Sequence, residues 1–138
     1  MTIDAARQFL AKPWVAMAAV SAAGRGPVNA PVWYSLDDRG WPWFVSPKAS
    51  LKSRLIANEG RFTLTAQREA RPYAYVSVEG RALLATAVYE DIRQMASRYL
   101  GEAQGGVYAD SMREAMDTGT RWRITLEPAN WSTYGLSA

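Results

Sequence analysis

The sequence predicts a mainly β domain in which helices lie at the periphery of a six-stranded antiparallel barrel. Apolar and polar residues alternate with period two through several segments, and residues that favour turns separate these segments. One helical segment crosses between the third and fourth predicted strands, and further helices precede the last strand. With 138 residues, of which 49 % are hydrophobic and 21 % charged, the chain is long enough to bury one core. We therefore expect residues 1–138 to form a single domain.

The first half of the chain predicts an amphipathic helix, three strands and a crossover helix. These elements cover residues 2–11, 14–22, 28–36, 41–46 and 50–58. Pro13 ends the first helix, and a glycine-rich turn before Pro27 joins the first two strands. In the second strand the alternation places Val32 and Trp33 on opposite faces.

The second half predicts three further strands and two helices. These elements cover residues 61–67, 73–86, 88–100, 108–117 and 119–127, with a closing tail at 130–134. Gly80 marks the place of a bulge in the long strand, and Gly101 ends the first of the two helices. Ser111 and Glu114 have capping-box spacing in the second helix. The strand at 61–67 alternates cleanly, so one of its faces is polar and meets either solvent or an interface.

The absence of cysteine and histidine narrows the possible chemistry. The chain has no residue for a disulfide, a thiolate zinc site, a cysteine nucleophile, an imidazole base or a histidine-ligated haem. Chemistry therefore depends on hydroxyls, lysines, arginines and carboxylates, or on a bound cofactor, and no metal site is expected. The net charge of +3 suits a polyanionic small molecule or a nucleic acid.

The N-terminus shows no signal-peptide pattern. Charged residues precede the first apolar run, and the longest apolar stretch, residues 14–20, is too short to cross a bilayer. We therefore expect a cytoplasmic protein without a membrane partner.

Hydroxyls and cations cluster where the third strand ends and the crossover helix begins. The residues concerned are Ser46, Lys48, Ser50 and Lys52. A phosphate group is held by hydroxyl donors, free N–H groups at a helix N-terminus and nearby cations, and this segment offers all three. On a helix the two lysines would project from one face. The alternative interpretation is that Ser50 only caps the helix while the lysines are solvated.

The order of several short motifs resembles a known family. The motifs are Pro31-Val32-Trp33-Tyr34, a turn at Gly40, Phe44-Val45-Ser46, Ser50-x-Lys52, Leu55, Asn58 and Val78-Glu79-Gly80. In this order and spacing they resemble the split β-barrel flavin- and deazaflavin-binding proteins related to pyridoxamine 5'-phosphate oxidase, from about Phe9 to Gly80.

This resemblance implies a split barrel that forms a homodimer, with the cofactor in a cleft between the subunits. It implies that Val32 and Trp33 lie against the flavin-type ring, that Ser46 contacts the tail, and that Ser50 and Lys52 hold the phosphate. Trp33 has a second interpretation as dimer-interface packing.

Two further residues complete the predicted cofactor-binding set. Lys48 is the second cation beside the phosphate. Tyr75 is a candidate donor to the ring or to the substrate, with a structural role in its strand as the alternative.

The departures from the family pattern bear on the substrate. Ala30 and Ser35 stand where the oxidase proper has an arginine and a lysine that contact the cofactor, and the oxidase's substrate-binding histidine has no counterpart. The resemblance therefore implies an oxidoreductase that acts on a small molecule other than pyridoxamine phosphate. FMN is the expected cofactor, with the deazaflavin coenzyme F-420 as the alternative. No catalytic residue is assigned, since the cofactor itself carries the hydride.

Two other functions stay open from the sequence. One is a flavin-binding protein that stores the cofactor without catalysis. The other is a barrel that binds single-stranded nucleic acid through exposed aromatic and basic side chains, among them Trp41, Trp43 and Tyr73. The small excess of positive charge favours the small-molecule functions, so no nucleic-acid partner is expected.

Overall fold

The strands of this protein form one antiparallel sheet with helices around it. The computed structural model describes residues 2–136. Its elements are α1 (Ile3–Leu10), β1 (Ala16–Val20), β2 (Val28–Val32), β3 (Ser35–Leu36), β4 (Pro42–Pro47), α2 (Leu51–Glu59), β5 (Arg61–Arg68), β6 (Ala74–Thr86), α3 (Tyr89–Leu100), α4 (Glu102–Ser111), α5 (Arg113–Asp117) and β7 (Arg121–Tyr134). The strand order is β2-β1-β5-β6-β7-β4-β3. The predicted mainly β fold with peripheral helices is confirmed.

The long strands β6 and β7 connect the two halves of the curled sheet. β6 pairs with β5 along its first part and with β7 along its whole length, and β7 then pairs with β4. Their register shifts between Glu79 and Gly80. A Cβ atom at Gly80 would lie 1.8 Å from the carbonyl oxygen of Glu127, so only glycine fits there. The predicted bulge at Gly80 is confirmed.

The core fills the concave side of the sheet. Large side chains from several strands meet there, and Phe44 and Phe62 pack edge to face with ring centroids 5.7 Å apart. Leu10 of α1 and Ile56 of α2 are fully buried and close the barrel from two sides. A second, smaller cluster lies beneath α3, α4 and α5. Because Ile56 of α2 is buried in the core, the N-terminus of α2 is held at the end of β4.

Seven strands are present in the described chain rather than the predicted six. The predicted strand 28–36 is divided into β2, which pairs with β1, and β3, which pairs with β4. The interruption falls at Tyr34, whose backbone N–H donates to the hydroxyl of Tyr99 at 3.0 Å instead of to a neighbouring strand. The segment therefore passes from one half of the sheet to the other.

The C-terminal segment and the second predicted helix also differ from expectation. The predicted tail continues β7 and pairs with β6 as far as Tyr75, because β6 is long enough to accept it. The predicted helix 108–117 is two helices, α4 and α5, which are separated at Met112. The predicted capping box is wrong, since the Ser111 hydroxyl donates to the carbonyl of Tyr108 at 2.6 Å and no side chain caps α5.

Candidate cofactor-binding site

Three serine hydroxyls form a closed group at the junction of β4 and α2. The Oγ atom of Ser50 lies 2.9 Å from that of Ser53, which lies 2.8 Å from that of Ser46, and the third side of the triangle is 3.3 Å. Ser46 and Ser53 are buried. We call Ser46, Ser50 and Ser53 the serine cluster. Each hydroxyl can donate to the next, so the cluster is satisfied internally and holds the start of α2 against the end of β4.

Ser50 caps α2, as the alternative interpretation predicted. Its Oγ atom accepts from the backbone N–H of Ser53 at 3.2 Å. In the described chain, the N–H groups of Leu51 and Lys52 in the first turn have no acceptor. The cap therefore satisfies the N–H of Ser53 alone. The N–H groups of Leu51 and Lys52 stay available at the helix N-terminus, where an anion is favoured.

Lys52 is a half-buried cation beside these donors. Its ammonium lies 5.9 Å from the centroid of the Phe44 ring, and burial lowers the pKa of the amine. No carboxylate among residues 2–136 forms an ion pair with it. A partly desolvated cation without a counter-ion favours the approach of an anion.

Lys52 faces a cavity of about 280 Å³. Its walls come from the end of β2, the end of β4, the first turn of α2 and the helices α3 and α4. The lining residues are Pro31, Val32, Trp33, Val45, Ser46, Pro47, Lys52, Ile92, Met95 and Tyr108. No acidic side chain is among them. Apolar residue types therefore predominate in the lining, polar and apolar atoms share the exposed wall about equally, and Lys52 makes the wall positive where α2 begins.

Trp33 forms one wall of the cavity. Its indole stacks on the ring of Tyr99, with centroids 4.9 Å apart and planes inclined by 7°. The hydroxyl of Tyr99 donates to the carbonyl of Trp14 at 2.6 Å, which fixes the phenol on the barrel. Val32, the neighbour of Trp33, turns inward and is buried in the core. The predicted opposite orientation of these two side chains is confirmed.

The structure brings together four of the seven predicted cofactor residues in this cavity wall, and a fifth lies just behind it. Val32, Trp33, Ser46 and Lys52 line the cavity, while Ser50 contacts Ser46 within the serine cluster.

Lys48 and Tyr75 do not line the cavity. The ammonium of Lys48 donates to the Thr86 hydroxyl at 2.9 Å and lies 4.3 Å from the Trp122 ring centroid. The two lysines would share one face only if both were helical, and Lys48 precedes the first helical residue, Leu51. Tyr75 stacks on Tyr134 at 6.1 Å on the outer face of β6 and β7. The cofactor role of both residues stays a prediction.

Sequence reasoning missed the residues that α3 and α4 contribute. Ile92 and Met95 belong to the apolar stripe of α3, which predicted a buried helix face but not which cavity it meets. Tyr108 lies on α4, where no apolar periodicity signals a packed face. Their place is set by how the helices return across the sheet, which is a tertiary property.

The described residues contain no group of three acidic, histidine or cysteine side chains that would hold a metal ion. None of the helices within residues 2–136 has the length and apolarity needed to cross a membrane.

Several solved structures have a similar fold. A protein named F420 reductase matches with a TM-score of 0.74 at 18 % identity, covering 91 % of this chain and 94 % of that one. An FAD-binding protein from Mesorhizobium loti matches with a TM-score of 0.65 at 13 % identity, with 96 % and 94 % covered. The haem storage protein from Vibrio cholerae matches with a TM-score of 0.67 at 13 % identity, with 97 % and 92 % covered.

Comparison by sequence gives a different result from comparison by structure. No protein-family profile and no curated protein matches it. At these identities the structural matches establish the architecture, and the motif order predicted the same architecture. This chain has the same split β-barrel fold as these three proteins.

Proposed function

We propose that this chain binds a flavin or deazaflavin cofactor, with the cofactor phosphate at the N-terminus of α2 and the ring along the end of β2. The single observation that carries the proposal is Lys52, a half-buried cation without an ionic partner in the described chain, which faces an acid-free cavity. The similar fold of an F420 reductase and of an FAD-binding protein supports a ligand of this class.

The residues present fit the phosphate of such a cofactor. Lys52 supplies a charge, and the free N–H groups of the first turn of α2 supply directed donors. The serine cluster positions these donors, because it fixes the start of α2 against β4. FMN is the first candidate and the deazaflavin coenzyme F-420 the second.

We further propose that the bound cofactor makes the protein an oxidoreductase for a small unsaturated or carbonyl compound. Such a cofactor supplies hydride transfer, while the chain supplies binding and orientation. Trp33 and Val45 contribute apolar side chains to the cavity wall, and Ser46 lines the same wall. No lining residue is a histidine, a carboxylate or a cysteine, and we assign no acid–base role to Lys52 or Tyr108.

The cavity of one chain is smaller than a complete flavin nucleotide site requires. Ligand pockets commonly enclose about 300–1,000 Å³, and this cavity, at about 280 Å³, lies below that range and is open to solvent. A second copy of the chain would add the missing wall. We therefore propose a homodimer with the cofactor between its subunits.

A protein that stores the cofactor without catalysis is the second candidate. It is favoured by the lack of a histidine, a carboxylate or a cysteine in the cavity lining and by the similar fold of a haem storage protein. The nucleic-acid alternative loses one of its aromatic groups, because Trp43 is buried and cannot stack on a base.

The experiment compares two lysines of the same segment. Wild type, Lys52→Ala and Lys48→Ala are titrated with FMN and with coenzyme F-420, and binding is followed by cofactor fluorescence. Lys52→Ala should weaken binding by about 1.5–3 kcal/mol, as expected for a charge-assisted contact. Lys48→Ala is the comparison: its ammonium is engaged with Thr86 outside the cavity, and an unchanged affinity would contradict its predicted cofactor role.

Three outcomes have distinct meanings. Equal affinities of wild type and Lys52→Ala contradict the phosphate site. Binding of neither cofactor contradicts the whole proposal. If binding is tight but the reduced cofactor passes no hydride to a panel of enones and quinones, the storage function replaces the oxidoreductase.

A further inference from the structure

Trp33 is held rigidly on one face. Its indole lies parallel to the Tyr99 ring at a centroid distance of 4.9 Å. The hydroxyl of Tyr99 is in turn fixed, because it accepts from the backbone N–H of Tyr34 at 3.0 Å and donates to the carbonyl of Trp14 at 2.6 Å. Three segments of the chain therefore hold the indole in one orientation, and Tyr99 occupies one of its faces.

Tyr108 approaches the same indole but is held loosely. Its ring centroid lies 5.6 Å from that of Trp33, and the planes are inclined by 51°. The side chain is 38 % exposed, and its hydroxyl has no partner in the described part of the chain. Tyr108 and Tyr99 form no ring pair with each other, so Tyr108 approaches Trp33 away from the occupied face.

The helix that carries Tyr108 is held closely to α3 at Gly105 but is fixed only weakly elsewhere, so the partly exposed Tyr108 side chain can move. In α4 only Gly105 and Ala109 are buried, and no side chain caps its N-terminus. Gly106 lies in its interior with open space around the position of a Cβ atom, so packing does not require glycine there. A glycine inside a helix weakens it and widens the range of backbone conformations.

We propose that Trp33 and Tyr108 form an aromatic clamp, of which Trp33 is the fixed half and Tyr108 the movable half, and that the clamp selects ligands with a flat conjugated ring. This inference rests on the proposed function and adds to it the residue that grips the ring. A ring stacked between two parallel aromatic planes holds them about 7 Å apart, which is twice the carbon–carbon contact distance of about 3.5 Å. The present separation of 5.6 Å with tilted planes leaves no such space. Tyr108 therefore swings outward when the ring enters and closes onto its second face.

The test uses riboflavin, which carries the ring without the phosphate, beside FMN. Tyr108→Ala should weaken the binding of both ligands by about five- to tenfold, the size expected for one aromatic stacking contact. Tyr108→Phe should bind both as wild type does, since the hydroxyl has no partner in the described chain. Lys52→Ala should weaken only FMN. Val107→Ala is the control, because Val107 is the neighbouring residue of α4 and is 72 % exposed.

A second readout separates a contact from a change in folding. Stacking on an indole quenches flavin fluorescence, and Trp33 is retained in Tyr108→Ala, so riboflavin that binds this variant more weakly but remains dark still lies on Trp33 and has lost only the second contact. Circular dichroism and the thermal midpoint of each variant are recorded to establish that α4 remains folded. For the deazaflavin, the coenzyme and its phosphate-free chromophore replace FMN and riboflavin.

The outcomes distinguish the clamp from the cofactor site. If FMN binds and responds to Lys52→Ala but Tyr108→Ala binds like wild type, the clamp is wrong and the phosphate site stands. If Tyr108→Phe loses as much affinity as Tyr108→Ala, the hydroxyl rather than the ring makes the contact, and the clamp is again wrong. If wild type binds none of the four ligands, the proposed function fails and the clamp fails with it.

Discussion

At the scale of single residues, Arg98 of α3 forms hydrogen bonds to segments that lie 64 to 88 residues away in the sequence. Its guanidinium donates to the carbonyls of Leu10, Ala11 and Lys12 at 2.9–3.0 Å, and to that of Tyr34 at 2.8 Å. The first three are carbonyls at the end of α1, where a helix has no internal donors left. One side chain therefore completes α1 and holds it to α3 and to the segment that positions Trp33.

We predict that Arg98→Ala lowers the free energy of unfolding by about 2–3 kcal/mol, because several partly buried carbonyls lose a charged donor. Arg93→Ala is the matched control on the same helix. Arg93 forms only exposed ion pairs with Glu90 and Glu102, so its loss should change stability by less than about 0.5 kcal/mol. Urea denaturation measures both, and equal losses would show that Arg98 does not act as a capping group.

At the scale of secondary structure, the adjacent glycines Gly105 and Gly106 of α4 differ in the space around them. A Cβ atom at Gly105 would lie 2.6 Å from the backbone of Ser97, so α4 approaches α3 closely only with glycine there. A Cβ atom at Gly106 would meet nothing within 4 Å. The two positions therefore differ in packing while they share a helix and a residue type.

Gly106→Ala should stabilise the protein by about 0.5–1 kcal/mol, because alanine restricts the unfolded chain and favours the helix. Gly105→Ala should destabilise it by about 1–3 kcal/mol, because the new methyl group forces α4 away from α3. Thermal unfolding of the two variants checks the prediction. A shift of both midpoints in the same direction would contradict this account of α4.

The elements predicted from sequence are those whose signals are local. Ser50 directly precedes the helical segment and has a hydroxyl to cap it, and Gly80 interrupts an alternating strand, so the cap and the bulge were predictable. The break at Tyr34 was not, because it depends on a hydrogen bond to Tyr99, 65 residues away in the sequence. Lys48 and Lys52 look equivalent in sequence. They differ in the structure because α2 begins at Leu51, so Lys52 is helical and Lys48 is not.

The same limit applies to the cavity. Trp33 and Ser46 were predicted as cofactor-binding residues because both belong to the ordered motifs, and Ser46 ends a predicted strand. Tyr108 was not, because α4 has no apolar stripe and its place over the cavity follows from how the helices pack. A local pattern therefore predicts which residues form an element, while the partner of that element is decided by the whole chain.

At the scale of the whole molecule, the outer face of the sheet is unlike an ordinary solvated surface. Thr65 donates to Ser77 at 2.8 Å across β5 and β6, which confirms the predicted polar alternation of β5. Beside these hydroxyls lie Met17, 40 % exposed, and the stacked pair Tyr75 and Tyr134. Mixed polar and aromatic surfaces of this kind are typical of protein interfaces.

The proposed homodimer places this face against a second copy. We predict that the protein sediments as a dimer at micromolar concentration, and that Met17→Glu raises the dimer dissociation constant at least tenfold, because a buried carboxylate without a partner opposes association. Val107→Glu adds the same charge at an exposed position of α4 and should leave the dimer intact.

Cofactor titration of the Met17→Glu monomer completes the test. If the cofactor site lies between subunits, loss of the dimer lowers cofactor affinity, whereas a monomer with unchanged affinity would place the whole site within one chain.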